Sequence, residues 1–156
     1  MSDPSLTQII HYTELPVDGF PRLGTGGQPT EEQLASVKAA GFETVINLAL
    51  PTSTGALPDE AGLVNGLGME YVPIPVVWEE PKAEDLQQFF AALQARKGKK
   101  VFVHCAMNFR ASAFMYLYRV KIAGVPEEDA RWDMLSIWVP FGAWKELIKG
   151  EMGIEL

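Results

Sequence analysis

The only cysteine of the chain stands in the run Val101-Phe102-Val103-His104-Cys105-Ala106-Met107-Asn108-Phe109-Arg110-Ala111-Ser112. An apolar, β-branched stretch ends in His-Cys. A short loop follows, with an Arg five positions after the Cys and a Ser seven positions after it. A thiol between a strand end and a helix start meets unpaired backbone N–H groups and the positive end of the helix dipole. Such a place favours a thiolate and binds a tetrahedral oxyanion such as phosphate. Arg110 at the far end of the loop can clamp two oxygens of that anion. Ser112 beyond it can hydrogen-bond the sulfur and ease its departure as a leaving group. The bland alternative for Cys105 is an inert buried thiol, and for Arg110 an ordinary salt-bridge residue. His104, Arg110, Ser112 and the helix start together favour the anion site. His104 is expected to orient the loop through its ring hydrogen bonds.

The flanking pattern supplies the elements that must hold this loop. Thr30 with Gln33 forms a capping box, Glu31 and Glu32 suit the first turn, and Leu34, Val37 and Ala40 make a stripe, so a helix is predicted over about 31–40. The preceding GTGGQP reads as a turn into that helix rather than a phosphate cradle, because no strong strand signal comes before it. Thr44 to Ala49 is a buried-type strand. Asp59 and Glu60 open a short helix ended by Gly68. Glu70 to Val77 is a second strand, whose prolines place it at a sheet edge or end it early. Pro81 precedes a helix of about 83–96 with Leu86, Phe89, Phe90 and Leu93 on one face. Lys100 to Val103 is a third strand, followed by a buried helix over 111–123. Two more helices are expected from Glu127 to about Trp138 and from Gly142 to about Lys149. The aromatics of FMYLY and WDMLSIW read as core, while WVPFGAW could form an exposed aromatic patch.

Strands and helices alternate, which predicts an α/β fold with a central, mainly parallel sheet flanked by helices. Ligands of such sheets bind at the carboxyl ends of strands, where Cys105 stands. The 156 residues fit a single domain, 1–156, with 1–20 as an N-terminal arm or a short strand with turns. The net charge of −7 argues against nucleic acid and anionic membranes as partners. An anion site must therefore be locally basic or built from backbone N–H groups. One cysteine excludes an intrachain disulfide, and two distant histidines, His11 and His104, make a metal site unexpected. The start MSDPSLTQII lacks the pattern of a signal peptide, no apolar run reaches membrane-spanning length, and a reducing cytoplasm is expected.

HCAMNFRAS resembles the signature of cysteine-dependent tyrosine and dual-specificity phosphatases, in which His-Cys is followed by five residues, an Arg and then Ser or Thr. GGQPTEEQLASVKAAGFETVINL, YVPIPV and VFVHC, in that order over roughly residues 20–125, are similar to a small bacterial phosphatase-like family related to the domain fused to some β-lactamase-like hydrolases. The resemblance implies a phosphatase-like fold and a phosphate-binding loop of Ala106, Met107, Asn108, Phe109, Arg110 and Ala111. There are departures. Asn108 stands where the family usually has Gly, and Ala111 where its Arg belongs. Arg110 comes one residue early, about 100° of helical rotation away. The family's acidic Asp has no counterpart, and Glu79 or Glu80 is the candidate acid.

The expected function is hydrolysis of a phosphomonoester, with phosphotyrosine protein as the first substrate class by resemblance. It runs through a thiophosphate on Cys105 without cofactor or metal. Its ligands would be a phosphorylated small molecule or phosphoprotein, with inorganic phosphate or sulfate occupying the same site. The four residues between Cys105 and Arg110 also match the loop of rhodanese-type sulfurtransferases, which leaves sulfur transfer open. A phosphate-binding module with weak turnover is the third reading.

Overall fold

The computed structural model describes residues 4–156; the first three residues of the expected arm lie outside them. The fold is built on five strands: β1 (Thr13–Glu14), β2 (Arg22–Gly26), β3 (Thr44–Asn47), β4 (Glu70–Pro73) and β5 (Lys100–His104). Their order in the sheet is β1-β2-β5-β3-β4. All neighbours are parallel except β1, which pairs antiparallel with β2. The expected α/β fold with a mainly parallel sheet is what forms.

β5 lies at the centre because both of its faces are apolar, as a doubly covered strand requires. Side chains alternate across a strand. Val101, Val103 and Cys105 therefore face one core, with α4 (Ala83–Gln94), α5 (Phe109–Lys121), α6 (Glu127–Leu135) and α7 (Gly142–Met152). Phe102 faces the other core, formed with α1 (Pro4–Thr7), α2 (Glu31–Ala39) and α3 (Glu60–Gly66). The ring of His104 stacks beside Phe102 on that second side, with centroids 6.0 Å apart.

The capping box of Thr30 and Gln33 forms as expected. β4 is the edge strand and stops at Pro73, as its prolines imply. Three features differ from the sequence reading. The GTGG run begins inside a strand, β2, whose signal is weak because its glycines carry no side chains. A Cβ at Gly26 would stand 2.8 Å from Ile9 Cγ2 and 3.2 Å from the Phe102 ring. The region 4–20 is built into the fold and not a free arm, with Leu6 and Ile9 buried; β1 is the short strand that the sequence allowed there as the alternative. Trp132, read as core, is 74% exposed on α6, whereas Trp138 and Trp144 are buried. Of the large side chains in the WVPFGAW stretch, Val139 and Phe141 are exposed while Trp138 and Trp144 are buried. No described helix is long and apolar enough to cross a membrane.

Candidate active site

The loop after β5 is held from behind by the continuation of β2. Cys105 N–H donates to the Gly26 carbonyl at 3.3 Å, and Gln28 N–H donates to the Ala106 carbonyl at 2.9 Å. Gly27 bridges Met107, and a Cβ there would stand 2.6 Å from Ala106 O. Only glycine lets the chain lie this close. The GTGG run thus forms the back wall of the loop as well as the approach to α2.

Asn108 turns the loop into α5. Its backbone is left-handed, with φ 65° and ψ 9°, a conformation that Asn tolerates better than other side chains. Its amide Nδ2 donates to the His11 carbonyl at 2.8 Å and to Thr25 Oγ1 at 3.0 Å. Its Oδ1 is buried with no partner among the described residues. The turn starts α5 at Phe109, two residues before the expected start. Phe109, Arg110 and Ala111 therefore fall in the first turn, where backbone N–H groups have no intrahelical acceptor. Ser112 N–H already closes onto Asn108 O at 3.0 Å.

A cavity of about 220 Å³ opens at this point, lined by Trp78, Cys105, Ala106, Met107, Phe109 and Arg110. Cys105 is only 1% exposed, so a reactant must enter the cavity to reach the sulfur. Arg110 is 6% exposed. Its Nη1 donates to the Val76 carbonyl at 2.9 Å, and its Nη2 lies 3.5 Å from Ser53 Oγ. No carboxylate pairs with it among the described residues. Buried arginines are rarely left without a counter-anion; this guanidinium is fixed by the Val76 carbonyl in the cavity wall beside Cys105.

Ser112 Oγ donates to the Phe109 carbonyl at 3.1 Å and accepts from Trp138 Nε1 at 3.0 Å. It does not line the cavity. Glu79 and Glu80 are exposed in the turn after Val77 and do not line it either. Trp78, just before them, does. It is held by aromatic neighbours Phe109, Trp138 and Trp144 and by the Trp144 indole donating to its carbonyl at 2.8 Å.

His104 points away from the cavity and is fully buried. Its Nε2 lies 2.6 Å from Glu60 Oε2 and its Nδ1 3.2 Å from the Cys105 carbonyl. Gln28 Nε2 donates to the other Glu60 oxygen at 2.8 Å. Burial pushes the Glu60 carboxyl up, but the hydrogen bond and charge of His104 and the Gln28 amide outweigh it, and the group sits below the usual carboxylate range. Its ionised form therefore stabilises the fold above the unfolded value, and that contribution is lost as pH falls through the folded one. Asp59 is the helix cap that the sequence suggests, accepting from Gly62 N–H at 3.0 Å. The role of Glu60, 44 positions from His104, carries no local signal. No group of three or more His, Cys, Asp or Glu able to hold a metal occurs among the described residues.

A family model described as a DSP-PTPase phosphatase fused to NAD+ kinase matches residues 16–136. The chain belongs to this DSP-PTPase-like phosphatase family. The DUF442 protein of Shewanella putrefaciens CN-32 is 39% identical, with a TM-score of 0.83 over 96% of this chain and 95% of that one. Tk-PTP in its active form is 23% identical, with a TM-score of 0.68 over 85% of this chain and 92% of that one. P. aeruginosa TpbA in complex with pTyr is 16% identical, with a TM-score of 0.62 over 88% of this chain and 94% of that one. The last two likenesses concern the fold. No curated protein matches the chain.

Within this phosphatase family the unusual Asn108 is accommodated by its left-handed backbone and its two side-chain bonds. Asn108→Ala is expected to destabilise the protein by about 2–4 kcal/mol, from strain and two unpaired acceptors. Asn108→Gly keeps the backbone and should lose about half of that. Urea unfolding of the two variants checks the ranking; an Asn108→Ala as stable as the parent would contradict it.

Proposed function

We propose that the chain is a cysteine-dependent phosphomonoesterase with Cys105 as nucleophile. The observation that supports this most is the buried Arg110, which has no carboxylate partner among the described residues, in the same cavity wall as Cys105. In the reading, the Cys105 thiolate attacks phosphorus, an S–P bond forms, and the P–O bond to the leaving group breaks. The departing oxygen takes a proton. Water then attacks phosphorus, the S–P bond breaks, and inorganic phosphate and the thiolate are released. The first-turn N–H groups of α5, the loop N–H groups of Ala106 and Met107, and Arg110 stabilise the charge that develops on the equatorial oxygens. Ser112 ties the base of α5 to Trp138 and steadies the loop, and His104 steadies it from behind.

Trp78, Met107 and Phe109 give the cavity an apolar side, which suits an aromatic leaving group. A phosphotyrosine protein is the first substrate class in this reading, and the TpbA complex with pTyr is consistent with it. A small aryl phosphate is the second. The family match does not favour sulfur transfer or a binding module without turnover. A lone thiol fits a cytoplasmic setting.

Glu79 and Glu80 are the carboxylates next in sequence to the cavity wall, and we assign protonation of the leaving oxygen to them from the solvent side. General acids contribute about 10²–10⁴-fold when the leaving group is poor. The double variant Glu79→Gln, Glu80→Gln should lose at least about tenfold in kcat on an alkyl phosphate and change little on p-nitrophenyl phosphate. An equal effect on both substrates, or on neither, would remove these residues from the chemistry. The reading as a whole is tested by p-nitrophenyl phosphate and phosphotyrosine-peptide hydrolysis beside a thiosulfate–cyanide assay, with turnover in the first two alone as the expected result.

A further inference from the structure

The cavity beside Cys105 is small. At about 220 Å³ it falls below the roughly 300–1,000 Å³ that encloses a drug-sized ligand. It suits a phosphoryl group and the ring that carries it, so the rest of a larger substrate must lie across the mouth. Four rings run across that mouth in the order His11, Phe109, Trp78, Phe141, with successive centroids 6.3, 6.2 and 6.2 Å apart. The inner two, Phe109 and Trp78, line the cavity. The outer two face solvent: His11 is exposed, and so is Phe141, at 63%. Met107 of the cavity wall and Val77, next to Trp78, are each 41% exposed and add apolar surface. Exposed apolar surface gathered around a cavity marks a binding site.

The backbone at His11 adds an independent observation. Its φ is 48°, a left-handed conformation that glycine adopts without steric cost. The His11 carbonyl accepts from the Asn108 amide at 2.8 Å and from Thr13 Oγ1 at 3.4 Å. Neither bond uses the imidazole, so glycine would serve this turn as well. Backbone strain retained under a side chain that the turn does not need points to a role for that side chain.

We propose that His11 and Phe141 are specificity-determining residues, the two outer contacts of a docking strip for a polypeptide with apolar side chains on both sides of its phosphorylated tyrosine. This rests on the phosphatase reading of Cys105. The strip has the cavity at its middle. An occupant anchored there by its phosphoryl group extends both ways, as a polypeptide does and a small ester does not. The net charge of −7, with Glu79 and Glu80 exposed beside Trp78, disfavours an anionic lipid surface. Leucine-like side chains would cover the faces of the outer rings and remove apolar area from water.

The test compares two substrates on the double variant His11→Gly, Phe141→Ala. Glycine keeps the left-handed turn and Phe141 is largely exposed, so the fold should stand. On a phosphotyrosine peptide with leucines on both sides, kcat/KM should fall by about tenfold or more. On p-nitrophenyl phosphate, which ends at the cavity, it should stay within about twofold. Affinity of the Cys105→Ser protein for the same peptide, read by calorimetry, should fall by about tenfold when the two changes are added. An equal loss on both substrates, or no loss on the peptide, overturns the proposal. So does ring-dependent binding to vesicles of anionic lipid with no preference for leucine-flanked over glycine-flanked peptide. If the parent hydrolyses neither substrate while its peptide binding still depends on the two rings, the docking strip stands and the phosphatase reading falls instead.

Discussion

Cys105→Ser is expected to reduce hydrolysis of an aryl phosphate by roughly 10³–10⁶-fold, the range seen when an enzyme loses its nucleophile. The fold should survive, because the two side chains are close in size and Cys105 makes its backbone bond to Gly26 regardless of its side chain. Cys105 is the only cysteine of the chain and lies buried at the wall of the cavity, so there is no second thiol to take over. The serine variant should still bind phosphate or tungstate, since the N–H groups and Arg110 remain. Loss of turnover with retained anion binding, followed by calorimetric titration, separates a missing nucleophile from a collapsed site. Retained turnover would place the chemistry elsewhere in the molecule.

Arg110→Ala should lower kcat/KM by about 10²–10³-fold, the usual effect of removing one preorganised donor from a developing oxyanion. Arg110→Lys should recover little. The guanidinium is held by two different hydrogens, one to the Val76 carbonyl and one toward Ser53, and a lysine cannot hold such a contact and face an anion with a planar edge together. Binding of inorganic phosphate should weaken in both variants. Steady-state kinetics on the two substitutions, with thermal unfolding as a control for the lost Val76 bond, gives the comparison. An Arg110→Ala enzyme within about threefold of the parent would mean that the loop N–H groups carry the anion alone.

The parts of this site differ in how far they could be read from sequence. β5 was legible because Val101, Phe102 and Val103 form an unbroken apolar run, as a strand covered on both faces must. Cys105 was legible as a loop residue because the run stops there and a helical pattern follows. β2 was hidden because Gly24 and Gly26 take the place of side chains, leaving room for Phe42, Phe102 and Ile9. Its signal was spent on close approach instead of on hydrophobicity. The direction of Arg110 depended on where α5 begins, and that in turn depended on the left-handed Asn108. A shift of two residues in the helix start rotates a side chain by more than half a turn. Glu60 was legible as a helix-start residue but not as the partner of His104, because the pairing joins segments brought together only by the register of β3 and β5. Trp78 was visible as an aromatic, yet its place in the cavity wall is set by α7, through the Trp144 indole.

The most direct test of the central claim is to mix the wild-type enzyme with an aryl phosphate, quench it in acid within one turnover, and locate the phosphoryl group by peptide mass spectrometry. Phosphate on the peptide that carries Cys105, absent from the Cys105→Ser enzyme, is the predicted result. Turnover with no phosphoryl-enzyme, or with the phosphate on another residue, would contradict the account.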